Sequence, residues 1–477
     1  MKTKSFGRNL FIIIVSRMFS LLSSVAVGFI LPKVLSITDY GFFKVFTLYA
    51  VYTALLHFGF VDGILLKLSG TNYEELDPQK MRTFTRFFII FEVLISCIIL
   101  LIGFVAVRGE YLFIVIMLAI NMVFVNVTTY YQFVSQAVQR FSEYSVKNII
   151  IAIVKLFLVL ILLILKKCNV SDISYRAYLI GLNILDFSIM LWYISLDRNI
   201  TFGKATSFIN VKNDIFSIFK SGILLTLAYQ VSHLILSLDR QFVSLLFSTE
   251  EFAIYSFAYN IVSLISTMVS SVSIVLLPML KSCTHETIVA SYRKSLSSVS
   301  LISSGCLLGY FPLIAFINWF LPEYNGSIEY ISIVLPAFLF TSSITVVMFT
   351  INKVFDTNNL FFKDGCCILI LGFVSNLLAY YFFKSPKAIS FASLILTVIW
   401  FLISGLRLKN KTGVDISGEL IYLSMIALGF LLITNYLENI FIEFIMLVFW
   451  VSILSMLFHK KDICILFEKT KEKLCNK

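Results

Sequence analysis

FTRFFIIFEVLISCIILLIGFVAV, residues Phe84 to Val107, is the stretch whose reading decides the fold class. An α-helix rises about 1.5 Å per residue, so a run of this length crosses a hydrocarbon core of ~30 Å. A barrel strand would be about half as long and would alternate polar with apolar residues, which this stretch does not. Comparable apolar runs, roughly 20 to 28 residues long, recur about every thirty residues along the chain. Composition agrees: 59% hydrophobic and 14% charged residues leave too little polar surface to clothe a soluble globule of 477 residues. The chain therefore reads as an all-α polytopic membrane protein of about fourteen transmembrane helices.

Working outward, helix 1 is the run from Asn9 to Leu35. It is too long for a signal core, and no small-residue cleavage site follows it, so it reads as a retained span. Helices 2 to 6 fall at Tyr40 to Leu66, Phe84 to Val107, Tyr111 to Ser135, Ser145 to Leu165 and Tyr175 to Leu196. Helices 7 to 14 fall at Ile218 to Leu238, Phe252 to Leu280, Leu296 to Leu321, Ile328 to Asn352, Phe362 to Phe383, Ala388 to Leu408, Glu419 to Leu437 and Ile440 to Phe458. The longest connection, Asp197 to Ser217, has about twenty residues and no folded-domain pattern. That leaves no room for a soluble catalytic domain, and the chain reads as a transporter and not an enzyme.

Basic residues resist translocation, so their distribution orients the chain. With Lys2, Lys4 and Arg8 inside, roughly 27 of the 38 Lys and Arg fall on the inner side, against about 7 outside and about 4 within spans. The inner set includes Lys80, Arg82 and Arg86, then Arg198, Lys204 and Lys212, then Arg407, Lys409 and Lys411, and the tail from His459 to Lys477. Both termini are thus expected in the cytoplasm of a bacterium, with the protein multi-pass in the inner membrane. The net charge of +11 follows from this topology and from anionic lipid headgroups, and does not require nucleic acid.

The eight cysteines point to no structural disulfide. Cys97, Cys306, Cys366 and Cys367 fall inside spans, Cys283, Cys464 and Cys475 on the reducing side, and only Cys168 faces outward. Neither a metal site nor a cofactor is expected, since Cys366 and Cys367 have no further ligands nearby.

Leu35-Ser36-Ile37-Thr38-Asp39-Tyr40-Gly41-Phe42-Phe43 resembles Phe247-Ser248-Thr249-Glu250-Glu251-Phe252-Ala253-Ile254-Tyr255, about 212 residues later. Each sits between the first two helices of a six-helix set. Chance recurrence in a Phe- and Tyr-rich chain is the competing reading. Two like-oriented halves imply a pseudo-twofold axis along the membrane normal, a cavity between lobes, and rocking of one lobe on the other. The expected divisions are an N-terminal lobe (1–196), a cytoplasmic linker (197–217), a C-terminal lobe (218–408), helices 13 and 14 as an addition (409–458), and a basic tail (459–477).

Several of these residues carry a family resemblance. The Leu35 to Gly41 turn, the group Gln136, Arg140 and Tyr144, the Leu238-Asp239-Arg240 step, the run Tyr255-Ser256-Phe257-Ala258-Tyr259, and Pro336 with Asn352 together resemble polysaccharide repeat-unit flippases of the Wzx type. These belong to the multidrug, oligosaccharidyl-lipid and polysaccharide (MOP) exporter superfamily, whose fold is MATE-like. The resemblance covers nearly the whole chain and rests more on helix pattern than on any one motif. It implies transfer of an undecaprenyl-diphosphate-linked oligosaccharide from the cytoplasmic to the outer leaflet by alternating access, for O-antigen or capsule assembly. It also implies a proton or sodium counter-ion and other polysaccharide assembly proteins as partners. Two other readings stay open: a multidrug exporter of the same superfamily, and a flippase for a lipid-linked peptidoglycan precursor, suggested by the Ser16-Arg17 step.

Charges inside a bilayer are costly enough that each is a candidate for a wet cavity or a partner. The spans hold Arg17, Lys44, His57, Asp62, Glu92, Lys155 and Asp186, with Asp239 and Arg240 ending helix 7. If helix 2 is straight, Arg17 and His57 both lie about 12 to 14 Å from the cytoplasmic face and can share a layer. Lys155 lies near mid-membrane. Arg17, His57 and Lys155 are therefore the candidate substrate ligands, Arg17 foremost because its planar fork matches phosphate oxygens and cannot shed its charge. Lys44, Asp62, Glu92, Asp186, Asp239 and Arg240 are candidates for gating or ion coupling. Lys44 and Asp239, at similar outer depth on opposite lobes, could seal the outer side. The plainer readings are snorkelling for Lys44 and Arg240, static pairing for Asp62 and Glu92, and packing for His57.

Overall fold

The computed structural model describes residues 2–168, 174–281, 284–355, 358–437 and 439–475. Every element among them is helical. The chain divides into two compact units, one ending at His233 and one beginning at Leu234. That boundary falls within a single long helix, beyond the linker expected at 197–217.

The first unit starts with α1 (Lys2–Val34), whose last carbonyls would be orphaned in lipid. Lys166 supplies the missing donor: its Nζ lies 2.8 Å from the Lys33 carbonyl and 2.9 Å from that of Val34. A cation at a helix C-terminus also meets the negative end of the dipole. Ser36 then caps α2 (Ile37–Ala50), accepting from the Asp39 amide. The second membrane pass does not continue straight. It tightens into a 3-10 turn (Val51–His57), breaks at Phe58 and Gly59, and resumes as α3 (Phe60–Leu68) at an angle of 57°. Both break residues have left-handed backbones, with φ of 47° and 86°. The straight helix expected from Tyr40 to Leu66 is therefore corrected, and the depth assigned to His57 by counting rise per residue no longer holds.

The remaining helices of this unit are α4 (Pro78–Ala106), α5 (Gly109–Ala137), α6 (Phe141–Lys167), α7 (Tyr175–Leu196), the short α8 (Arg198–Thr201) and the first part of α9 (Phe208–Leu246). Asp77 caps α4, and Pro78 occupies its first turn, where no amide hydrogen is needed. α5 is central, packing on α2, α3, α4 and α7, while α1 lies along α6. The core is aromatic: Phe60 stacks on Phe88 at 5.1 Å, Phe88 on Tyr130 at 5.4 Å, and Phe219 meets Phe60 at 5.1 Å. The crossing of α3 and α9 needs glycine. A Cβ on Gly222 would lie 1.9 Å from the Gly59 carbonyl oxygen and 2.4 Å from the Gly63 nitrogen, so the two backbones touch directly.

The second unit contains the rest of α9, then α10 (Thr249–Lys281), α11 (His285–Cys306) running through a short turn into α12 (Tyr310–Phe320), and α13 (Ser327–Ser342). α13 passes through a π-helical stretch (Ser343–Met348) into α14 (Phe349–Val354). α15 (Asn358–Phe383), α16 (Pro386–Thr412), α17 (Ser417–Tyr436) and α18 (Ile440–Cys475) complete it. The α13–α14 pass is the most buried and the hub, contacting α10, α11, α16 and α17. As the fourth pass of its half, it corresponds to α5. α17 and α18, set apart by the sequence as an addition, pack on α11 and α13 within the unit. α18 departs from helical geometry at His459.

Among the described residues, 12 helices are long and apolar enough to cross a membrane, and 13 with the bent pair. The fourteenth pass of the sequence reading falls on α10, a helix of 33 residues. The recurring stretches also adopt one local structure. At both, the serine hydroxyl accepts from the amide three residues on and donates to that residue's carboxylate, Ser36 with Asp39 at α2 and Ser248 with Glu251 at α10, where the Ser248 amide also donates to Glu251.

Candidate functional site

Breaking a helix in lipid frees carbonyls that water cannot reach, so side chains must take them. In the first unit Gln230 Nε2 donates to the Val51 carbonyl at 3.2 Å, and Asn126 Nδ2 to that of Thr53 at 3.2 Å. Asn126 is in turn held by Glu92, whose Oε2 accepts from it at 2.9 Å. The imidazole of His57 accepts the Gly59 amide hydrogen at Nδ1, 3.1 Å away, and its Nε2 lies 3.9 Å from Asp62 Oδ2. Thr226 Oγ1 donates to the same Asp62 oxygen. His57, Asp62 and Glu92 are all buried. The structure thus gathers these three around the break. Among the described residues, no hydrogen bond or ion pair joins Arg17 to any of them. The layer expected to be shared by Arg17 and His57 assumes a straight second pass, which the bend at Phe58 and Gly59 replaces, and His57 is buried beside that bend.

Arg17 belongs to a second group, built from α1, α5, α6 and α7. Its exposed guanidinium donates from Nη2 to the Tyr144 hydroxyl at 2.8 Å. The Lys147 ammonium lies 5.7 Å from the Tyr144 ring centre and donates to Gln132 Oε1. Lys147 is within electrostatic reach of Arg17, Lys155 and Asp186. Asp186 accepts from Asn121 Nδ2 at 2.8 Å and faces Lys155 as well. Lys147 and Lys155 thus face one carboxylate with Arg17 beside Lys147, so among the described residues the group holds three cations and one anion, an excess of two positive charges. Tyr144, Lys147 and Lys155 fall within one face of α6, because steps of three and eight residues return near the same angle.

Lys147 and its partners Gln132 and Asn121 were not among the sequence candidates. Helix 5 was placed from Ser145, which puts Lys147 at a lipid interface, whereas α6 begins at Phe141 and carries Lys147 nearly two turns inward. The spacing of Tyr144, Lys147 and Lys155 was the signal that could have found it.

Beside this group, Arg140 ties the ends of the helices together. Its Nη1 lies 2.8 Å from Asp197 Oδ1, it pairs with Glu143, and its guanidinium stacks 4.4 Å over Tyr73. Tyr73 donates to the same Asp197 oxygen at 3.0 Å. Burial first, and then the Asp197 charge, push the Tyr73 phenol up, so it stays a donor. Arg82 and Arg86 bond the carbonyls of Asn199, Gly203 and Lys204, fastening the following loop.

In the second unit Asp239 is buried and fully engaged. Tyr255 donates to its Oδ2 at 2.9 Å, the Arg240 amide donates to its Oδ1 at 2.7 Å, and Ser390 donates to the Tyr255 hydroxyl at 3.2 Å. The Arg240 side chain stacks 5.1 Å from the Tyr259 ring instead of extending to the surface. Two motifs read separately in the sequence therefore meet in space. Lys44, in the first unit, lies 5.1 Å from the Tyr40 ring centre and 5.7 Å from that of Phe43. Asn352 donates to the Met348 carbonyl at 2.9 Å, in the π-helical region where the backbone ladder is disturbed.

A family model described as "Polysaccharide biosynthesis protein" matches residues 6–284, 279 of the 477 residues. No curated protein sequence matches the chain. Among solved structures, the lipid II flippase MurJ in an inward closed conformation is similar at a TM-score of 0.68 and 12% identity, covering 95% of this chain and 99% of that one. The Vibrio cholerae MATE transporter VcmN, as a mutant, is similar at 0.57 and 13% identity, covering 87% and 98%. An inward-facing multidrug resistance MATE family transporter of the MOP superfamily is similar at 0.56 and 12% identity, covering 83% and 94%. At these identities the likeness is one of fold.

Proposed function

This chain belongs to the polysaccharide biosynthesis protein family, and from that premise we propose that it is a flippase for an undecaprenyl-diphosphate-linked oligosaccharide repeat unit. In this reading it carries the unit from the cytoplasmic to the outer leaflet by alternating access, in the inner membrane, with both termini in the cytoplasm and the product destined for a surface polymer such as O-antigen or capsule. A proton or sodium gradient drives it, and other polysaccharide assembly proteins take the product.

The observation that carries the proposal is the excess of two positive charges around Arg17. Excess charge at membrane depth is costly, and a guest bearing two negative charges removes that cost. A diphosphate diester is such a guest. Arg17 meets its oxygens with a planar fork, Lys147 and Lys155 add point charges, and Asp186 holds the lysines in place. The hydroxyls and amides of Tyr144, Gln132 and Asn121 suit the first sugar. A drug-exporting reading fits less well, because an excess of cations repels the cationic compounds such exporters take. His57 acts in this proposal through the bend and not as a ligand.

Replacing Arg17 decides the matter. Hydrogen bonds to charged groups contribute about 1.5–3 kcal/mol, so Arg17→Ala should lower export of surface glycan by tenfold or more at matched membrane levels. Arg17→Lys should keep a partial activity, since the charge remains and the fork is lost. Wild-type export by Arg17→Ala ends the ligand assignment.

A further inference from the structure

The second unit holds a buried polar cluster that the proposed substrate site does not use, where α11, α17 and α18 meet. At its centre α18 leaves helical geometry at His459 (φ −124°, ψ 24°) and turns that imidazole inward, with a side chain only 6% exposed. Ser297 Oγ lies 2.6 Å from Asp462 Oδ2 and 2.9 Å from His459 Nδ1. An ionised Asp462 can only accept, so the serine hydrogen goes to it. Ser297 Oγ then accepts from His459, and the imidazole hydrogen must sit on Nδ1.

This assignment fixes the other side of the ring. Nε2 is left with a lone pair, and it faces Glu419 Oε2 at 3.6 Å. Neither atom has any other hydrogen-bond partner among the described residues, and both are buried. Two acceptors therefore confront each other in a site closed to solvent, an arrangement that costs free energy until a donor enters between them. Of the groups around the pair, Ser300 on α11 reaches the Glu419 carboxylate, but none among the described residues supplies a donor to His459 Nε2. Tyr292 from α11 and Tyr422 from α17 border Glu419, Asp462 on α18 adds a second negative charge, and the Tyr422 ring stands edge-on to the imidazole at 4.6 Å. Tyr422 shares its own hydroxyl with Ser455 at 3.0 Å.

We infer that Glu419 and His459 form a binding site for one proton, and that this proton is the counter-ion of the transport proposed above. The bound proton lies between Glu419 Oε2 and His459 Nε2. It gives the facing atoms a hydrogen bond and cancels one of the two carboxylate charges. Its loss restores two acceptors in contact and pushes α17 and α18 apart at the bend. The binding half stands on the geometry alone, whereas the counter-ion half rests on the flippase reading.

The test uses the full-length protein in lipid nanodiscs, with nitrogen-15 in its four histidines and His459→Gln to identify the signal. Wild-type His459 should show the Nδ1–H tautomer when neutral and should titrate. In Glu419→Gln the amide donates to Nε2 in place of the proton, so proton affinity should fall by about tenfold, or roughly one pH unit. Ser297→Ala should release the ring to the opposite tautomer. An Nε2–H tautomer in the wild type, or a titration that Glu419→Gln leaves in place, overturns the site without any reference to transport. Glycan export is then followed against pH: its profile should shift by the same amount, roughly one pH unit, in Glu419→Gln. A confirmed titration with an unchanged export profile overturns the counter-ion half. A confirmed titration in a protein that moves no glycan overturns the flippase reading instead.

Discussion

The Arg17 group in the first unit and the Asp239 group in the second use the same materials to opposite ends. Around Arg17, three cations accompany one carboxylate, and the guanidinium is exposed. Around Asp239, each carboxylate oxygen has its donor, the tyrosine that supplies one of them is itself bonded to Ser390, and the neighbouring arginine lies against a ring. A polar group satisfied from within the protein is structural, while a charge left over at membrane depth needs a guest. Under the proposed function, the difference puts substrate contact in the first unit and gives Asp239 a packing role.

The sharpest way to break this contrast is to remove the excess charge without truncating a side chain. Lys147→Glu turns the surplus of two positive charges into none. Export should fall at least as far as in Arg17→Ala, whereas Asp186→Asn, which adds to the surplus and only loosens the lysines, should weaken substrate binding less. Binding of lipid-linked oligosaccharide to purified protein reads both, and undiminished binding by Lys147→Glu would falsify the charge argument.

A smaller effect of a different kind is expected in the second unit. Asp239→Ala leaves the Tyr255 hydroxyl and the Arg240 amide without their acceptor, a loss of about 1–3 kcal/mol that should appear as a lower Tm in detergent. Tyr255→Phe should cost less, because the Arg240 amide still serves the carboxylate. Substrate affinity per folded molecule should be unchanged in both. If Asp239→Asn stops export at an unchanged Tm, the second unit also carries transport chemistry and the contrast fails.

The smallest effect falls on the recurring caps. Ser36→Ala and Ser248→Ala should each cost about 1 kcal/mol, because each removes an acceptor for an orphan helix amide. The two losses should be similar, since in both pairs the serine hydroxyl accepts from the amide three residues on and donates to that residue's carboxylate. A cost confined to one of them would separate the two halves at the very stretch where their sequences agree.

Much of the fold was legible in one dimension, and the candidate site was legible only in part. Arg17 stood out because a guanidinium eight residues into an apolar run has no local explanation. Lys147 did not, because its depth depends on where α6 starts, and the polar run Ser142-Glu143-Tyr144-Ser145 reads as the edge of a span. The bend at Phe58 and Gly59 escaped for a similar reason: His57-Phe58-Gly59-Phe60 reads as apolar helix, and glycine is frequent in membrane spans. What forces the break is the α3–α9 crossing, where Gly59, Gly63 and Gly222 bring two backbones together from distant parts of the chain. Asp239 was placed at a helix end by counting residues, yet its burial depends on Tyr255 and Ser390 arriving from α10 and α16.

By itself, then, the sequence determined the solvent, the helical class, the approximate number of passes and the short stretch that recurs between the two halves. These follow from apolar run length and local residue pattern. The bend of the second pass, the meeting of Arg17, Lys147, Lys155 and Asp186, and the facing of Glu419 with His459 were decided by tertiary structure alone. A charge inside a membrane protein is defined by its neighbours on other helices, and those depend on how each helix is rotated and where it breaks, which packing sets and hydropathy does not record.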